Sequence, residues 1–336
     1  MAALQADTPG AAIHIGDDTH QVVVEGVDIR GYGAGNAYSF GIMIRGERIR
    51  EVLIRNNRIH HFDSDADAHA IAVFGTGETE SDGIRDVVID GNTVHDMRTG
   101  SSESIAVNGN VRRWVISSNT LRDINNIAID AIGGEGTSPS RTNHSGRILP
   151  GIRDTARFGF IEGNVVENLS TVGNMAYGGE ESWAAAIYID GGRHVSIVDN
   201  IVRNAPWAFE VGAENCVESQ HITIRGNAAS GSHYGDLLIG GYAPGGFREN
   251  REIDCNPLQT LDANEGHGYV RHVTTGNNDF LSSDTLLSPV TLQFRTTHSI
   301  VAEPGVSPHN ASGDGSAAGD DNAIRTSGTI CQVPDC

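Results

Sequence analysis

Two kinds of short apolar segment take turns along this chain, and neither has the spacing of a helix. The first alternates strictly between apolar and other residues. It recurs as AIHIG (12–16), GIMIRG (41–46), AIAVFG (70–75), SIAVNG (104–109), IAIDAIGG (127–134), AIYIDGG (186–192), AFEVGAEN (208–215) and DLLIGGY (236–242). Each copy ends in or beside glycine, which suits a sharp turn. The second has two or three β-formers, a polar pair, an asparagine and an apolar residue two places on. It reads VLIRNNRI, VVIDGNTV, WVISSNTL, GFIEGNVV, SIVDNIV and HITIRGNAA, with a weaker VTTGNNDF. VVVEGVDI, near the start, has Val27 where the asparagine is expected.

The resulting ladder is Asn57, Asn92, Asn119, Asn164, Asn200, Asn227 and Asn278, with spacings from 27 residues (Asn92 to Asn119) to 51 (Asn227 to Asn278). A repeat of constant core and variable loops is a solenoid. Short strands, few helical patterns and stacked asparagines predict an all-β right-handed parallel β-helix of about eight to nine coils. One domain over 1–300 is expected, with long loops near 134–158, 168–185 and 242–272. A Gly/Ser/Asp-rich tail follows over 301–336.

The phrases SIAVNGN, NNIAIDAIGGEG and AIYIDGGRHVSIVDNIV resemble those of right-handed parallel β-helix repeat proteins of the pectate-lyase-like superfamily, in its carbohydrate-active branch. The resemblance spans about residues 12–300. It implies the fold and an extracellular or periplasmic setting, but it does not select among lyases, hydrolases, epimerases, esterases and non-enzymes. Polygalacturonase-type hydrolases would bring an aspartate pair on one strand, a G-H-G and an R-I-K. Only Gly266-His267-Gly268 is present, in a long insertion, so those catalytic residues are not carried over.

Composition narrows the chemistry. All 23 basic residues are arginine, against 43 acidic ones, for a net charge of −20. Without lysine there is no Schiff base, no P-loop lysine and no lysine general base. The acidic balance argues against nucleic acid and anionic membranes as partners. No apolar run reaches membrane-spanning length, and the opening MAALQADTPG lacks a secretory leader pattern. Cys216, Cys255, Cys331 and Cys336 form no C-x-x-C pair; pairing 216 with 255 and 331 with 336 would suit an oxidising compartment. A monomer or small homo-oligomer is expected.

Alternation divides the first kind of strand into an inner and an outer face. With the Ile/Val positions taken as inward, the copies put His14, Met43, Ala72, Ala106, Ala128, Tyr188, Glu210 and Leu238 in one outer column. Gly16, Arg45, Phe74, Asn108, Asp130, Asp190, Gly212 and Gly240 make up the other. Polar groups gather on adjacent coils, so Asp130, Asp190, Glu210 and Tyr188 are the expected catalytic groups. One carboxyl would donate a proton and another serve as base. Asn108, Arg193, His194, Glu135 and Glu214 are expected to contact substrate, with Trp183 and Trp207 stacking on sugar rings.

These residues favour a glycoside hydrolase acting on a polysaccharide or oligosaccharide, with no cofactor required. The alternative is a polysaccharide lyase or C5-epimerase of uronic-acid glycans, for which Asp130, Asp190 and Glu210 would hold Ca²⁺. A non-catalytic glycan-binding β-helix is the reading from outside enzymology. Glycan identity, linkage and the choice among the three readings stay open at this level.

Overall fold

The computed structural model describes residues 3–6, 10–31, 39–142, 148–215, 217–240 and 270–281, with short strands at 290–292, 300–302, 308–310 and 324–326. All four cysteines, the 242–269 part of one long insertion with its Gly266-His267-Gly268, and nearly all of the tail lie outside the described residues.

Each complete coil contributes one strand to each of three parallel sheets of ten, ten and nine strands, and the whole is a right-handed parallel β-helix. The coil built from Ile105–Gly109, Val111–Ser117 and Thr120–Asn125 shows the plan. Its strands enter the first, second and third sheet in that order, and each pairs with strands one coil before and after. Inward isoleucines, valines and leucines stack along the axis as one continuous core. Trp114 is buried in that core because its neighbour on the next coil is Gly159, where an added Cβ would come within 2.1 Å of the indole. Among the described residues the helical content is one short 3₁₀ turn, Met175–Tyr177, and no helix is long and apolar enough to cross a membrane.

The asparagines occupy the corner between the second and third sheets. The Oδ1 of Asn92 accepts from both the backbone N–H and the Nδ2 of Asn57, each at 3.0 Å. The same two-bond link joins every successive pair to Asn278. Each Nδ2 also donates to a core-strand carbonyl, as Asn119 does to Ile89 at 3.0 Å. Val27 fits the first coil because its backbone N–H donates to Asn57 Oδ1 at 2.9 Å. Full pairing is what allows so many amides to be buried.

Strict alternation holds less well on the other two sheets. Gln21, Glu51, Asp86, Arg113, Phe158, His194, His221 and His272 form a column on the second sheet, all with φ between 52 and 58°. His61, Asp96, Asp123, Asn168 and Asn204 do the same on the third. These are single-residue bulges in the left-handed region, uncommon for residues other than glycine. Each one turns two successive side chains outward between two core positions.

Candidate active site on the first sheet

The register of the first sheet corrects one expected column. Asp130 pairs with Ala106 on one side and Tyr188 on the other, and Tyr188 pairs with Glu210. The outer column therefore runs His14, Met43, Ala72, Ala106, Asp130, Tyr188, Glu210 and Leu238. Asn108 instead faces Ile132, and Asp190 faces Gly212. The expectation placed Ala128 where Asp130 stands. In this coil two residues, Ala131 and Ile132, intervene between the aspartate and its glycines, so matching Asp130 to Asp190 slips the register by one pleat. Asp130 and Asp190 are consequently diagonal, not directly opposed.

Although this face points away from the core, loops cover it. Asn108, Asp130, Tyr188, Asp190 and Glu210 are all at most 8% exposed. Glu214 and Glu103 are half-buried at the margin and Glu135 is exposed. Tyr188 donates to Glu214 Oε1 at 2.9 Å. Its hydroxyl reaches there across Gly212, where a Cβ would lie 2.3 Å from it. Asp190 Oδ1 accepts the Glu214 backbone N–H at 2.6 Å and its Oδ2 accepts from Asn215, so this carboxylate fixes the turn that carries Glu214. Asn108 Nδ2 donates to Glu135 Oε2 at 2.6 Å. The loop bearing Glu135 is itself held by buried Asp154, whose two oxygens accept from the backbone of Gly136 at 2.7 Å and Ser138 at 2.9 Å.

Asp130 differs from its neighbours. Its Oδ1 is buried and has no hydrogen-bond partner, and the same holds for Asn108 Oδ1. Burial, then the nearby charges of Glu103, Asp190, Glu135 and Glu214, push the Asp130 carboxyl well above the usual carboxylate range. Burial and Glu214 do the same to Glu210. Burial, helped most by Glu135, raises Glu103 to about 8. A raised pKa keeps a carboxyl protonated near neutrality, the state a general acid requires.

The aromatic expectations divide. Trp207 is buried against Tyr188, Ala185 and Leu238 on the outer side of the first sheet. Trp183 is 49% exposed and meets Trp207 edge-on, with centroids 6.4 Å apart. Tyr234 lies 6.0 Å from Trp183, completing an aromatic wall beside the carboxyl cluster. Arg193 and His194 belong instead to the second sheet. Arg193 donates to the Glu218 carbonyl at 3.3 Å, while the His194 ring stacks between Phe158 and His221 at 4.9 and 4.6 Å. These two are not brought together with the carboxyl cluster.

Residues that the outer columns passed over complete the site. Glu103 precedes its strand by two residues, and His69, buried with its ring nitrogen 2.7 Å from the Glu103 carbonyl, is held down to about 4 by burial. Asn215 and Asp154 are supports whose part depends on contacts between coils. Oxygen ligands suit Ca²⁺, but among the described residues the three ligand atoms that fall within 4.8 Å of one another are those of His61, His95 and Asp96, not the carboxyl cluster.

No family model matches the sequence. The chain is 34% identical over 248 residues to the uncharacterized protein YwoF of Bacillus subtilis (strain 168), across 72% of this chain and 48% of that one. Its fold resembles the GH136 lacto-N-biosidase from Eubacterium ramulus, with a TM-score of 0.52 and 13% identity over 94% of this chain and 51% of that one. It is equally similar to the catalytic unit of the GH87 alpha-1,3-glucanase from Streptomyces thermodiastaticus strain HF3-3, with a TM-score of 0.52 and 14% identity over 91% and 51%. The chain thus spans about half the length of these relatives. At such identities the structural likeness establishes the fold, which is the one implied by the resemblance to the pectate-lyase-like superfamily.

Proposed function

We propose that this protein is an extracellular or periplasmic carbohydrate-active enzyme, and specifically a glycoside hydrolase that cleaves an oligosaccharide or polysaccharide lying across the first sheet. The observation that carries the reading is the Asp130 carboxyl, buried, with one oxygen unpaired, in surroundings that push its pKa upward. A glycosidic oxygen arriving at that atom supplies the missing partner and receives the proton. The solved structures of like fold named above include a lacto-N-biosidase and an alpha-1,3-glucanase, both carbohydrate-cleaving by name.

Glu214 serves as the base that activates water. It is half-buried, accepts the Tyr188 hydroxyl, and stands on a turn fixed by Asp190. Glu210, two strands beyond Asp130 in the same column and with its pKa pushed upward by burial, contributes a carboxyl that hydrogen-bonds a sugar hydroxyl. Asn108 and Trp183 orient the sugar, Trp183 by stacking. The concentration of carboxyls also suits the lyase or epimerase alternative, in which a cation would bridge them to a uronate. The absence of lysine favours the hydrolase.

Incubation with a panel of neutral, uronic and amino polysaccharides tests the proposal. New reducing ends without an unsaturated, ultraviolet-absorbing product, unchanged by EDTA and lost in Asp130→Asn, are expected. Unsaturated products would replace the hydrolase with a lyase. Retarded migration in glycan gels with no product from any substrate would make the protein a binder.

A further inference from the structure

The third sheet carries a second polar cluster, on strands separate from those of the carboxyl site. Bulges at His61 and Asp96, with φ of 58 and 54°, turn two successive side chains outward on each of two adjacent coils. His60 and His61 lie between the core residues Ile59 and Phe62, and His95 and Asp96 between Val94 and Met97. The strand register places His60 beside His95, and their rings stack with centroids 4.8 Å apart and planes 3° from parallel.

Both stacked rings present Nδ1 to the same side. His60 Nδ1 is 2.6 Å from His61 Nδ1, and His95 Nδ1 is 2.5 Å from Asp96 Oδ2. His61 Nδ1 and Asp96 Oδ2 are 3.7 Å apart. On the other side, His60 Nε2 meets Asp28 Oδ1 at 2.8 Å, and His95 Nε2 accepts from Arg58 Nε at 3.1 Å. Asp28 therefore accepts from His60 Nε2–H, which fixes the ring proton there and leaves a lone pair on Nδ1. A carboxylate behind a histidine in this way is the usual outer support of a metal ligand. Two ring nitrogens facing each other at 2.6 Å need either a shared proton or a shared cation between them.

We propose that His61, His95 and Asp96, with His60 Nδ1 as the fourth donor, form a binding site for a borderline transition-metal ion of the Zn²⁺ class. The three ligand atoms lie within 4.8 Å of one another, close enough for small side-chain adjustments to bring them to about 2 Å from a common centre. Imidazole nitrogens select such an ion over Ca²⁺ or Mg²⁺. Binding joins two coils, so the ion acts as a staple between them. Arg58 sets a threshold. Its donor on His95 Nε2 keeps the His95 proton on Nδ1, where the metal must bind. Capture moves that proton to Nε2, and half-exposed Arg58 swings towards Asp28, already 3.6 Å away.

Chelator-treated full-length protein is titrated with ZnCl₂ against a chromogenic zinc indicator, alongside the His61→Ala/Asp96→Ala double variant and Arg58→Met. Both alanine positions are exposed, and coincident metal-free unfolding curves would confirm an intact fold. The expected results are one tight equivalent in the wild type, binding weaker by at least about tenfold in the double variant, and tighter binding in Arg58→Met. Co²⁺ should give the intense visible bands of a four-coordinate site in the wild type and in Arg58→Met, and not in the double variant. Equal zinc affinity in wild type and double variant, or a weak six-coordinate Co²⁺ spectrum, overturns the site.

Discussion

The corner ladder and the first-sheet cluster bury polar side chains by the same means, stacking coil upon coil, yet they differ in whether their atoms are paired. Along the ladder, each Oδ1 from Asn92 to Asn278 accepts two hydrogen bonds, that of Asn57 accepts one from the Val27 backbone, and each Nδ2 finds a carbonyl or an amide. On the first sheet, Asp130 and Asn108 each keep a buried oxygen without a partner. Satisfied burial stabilises or is neutral, whereas an unsatisfied buried group costs about 1–3 kcal/mol. A fold that has solved the problem at one corner retains it on one face, where the proposed substrate would supply the missing partner.

The contrast breaks most sharply in Asp130→Asn. Removing the proton donor should lower turnover by about 10²–10⁴-fold while leaving the thermal unfolding midpoint unchanged or higher, because a buried acid has gone. Reducing-end assays and calorimetry on one preparation check both halves. Asn119→Ala should do the reverse. It strips partners from the Asn92 backbone N–H, the Asn92 side chain and the Ile89 carbonyl, for a loss of about 3 kcal/mol in urea unfolding. Any folded fraction should retain its catalytic rate.

Acid–base linkage sharpens the same comparison. Glu103 has its folded pKa raised to about 8 from an ordinary 4.5, so the native state binds the extra proton within that window. With more protons bound in the folded state, stability must fall as pH rises from about 4.5 to about 8. His69 works in the opposite sense, losing stability as pH falls from 6.5 towards about 4. Glu103→Gln should therefore gain on the wild type progressively through the upper window. A stability difference that does not change with pH would show that Glu103 carries no such proton. The smallest effect is expected from Tyr188→Phe, roughly a fivefold loss in turnover through a less well-held Glu214, with the basic limb of the pH–rate profile unmoved.

The ladder was legible residue by residue, because an asparagine that must meet its copy in the next coil recurs at a fixed place in each repeat. The first-sheet strands were equally legible as elements. Their mutual register was not, since Ala131 and Ile132 add one pleat before the glycines and shift Asp130 into the Tyr188 column. Arg193 and His194 looked adjacent to Asp190 in sequence, but the chain turns a corner at Gly191-Gly192 and carries them onto the second sheet. Asp154 and Asn215 left no signal, because what they do is defined by residues of other coils. Glu214 and Glu135 were found through nearness to strand ends, which is what a solenoid preserves best.

The ladder also gives the solenoid a direction. Every amide in it is oriented alike, with its N–H towards the later coil and its oxygen towards the earlier one. Seven aligned side-chain dipoles add along the axis, as peptide dipoles do in a helix. The electropositive pole lies at Asn278 and the electronegative pole at Asn57. Coils can therefore be added in register only at matching poles, and two copies of this β-helix meeting end to end would be electrostatically favoured head to tail and opposed when like ends face.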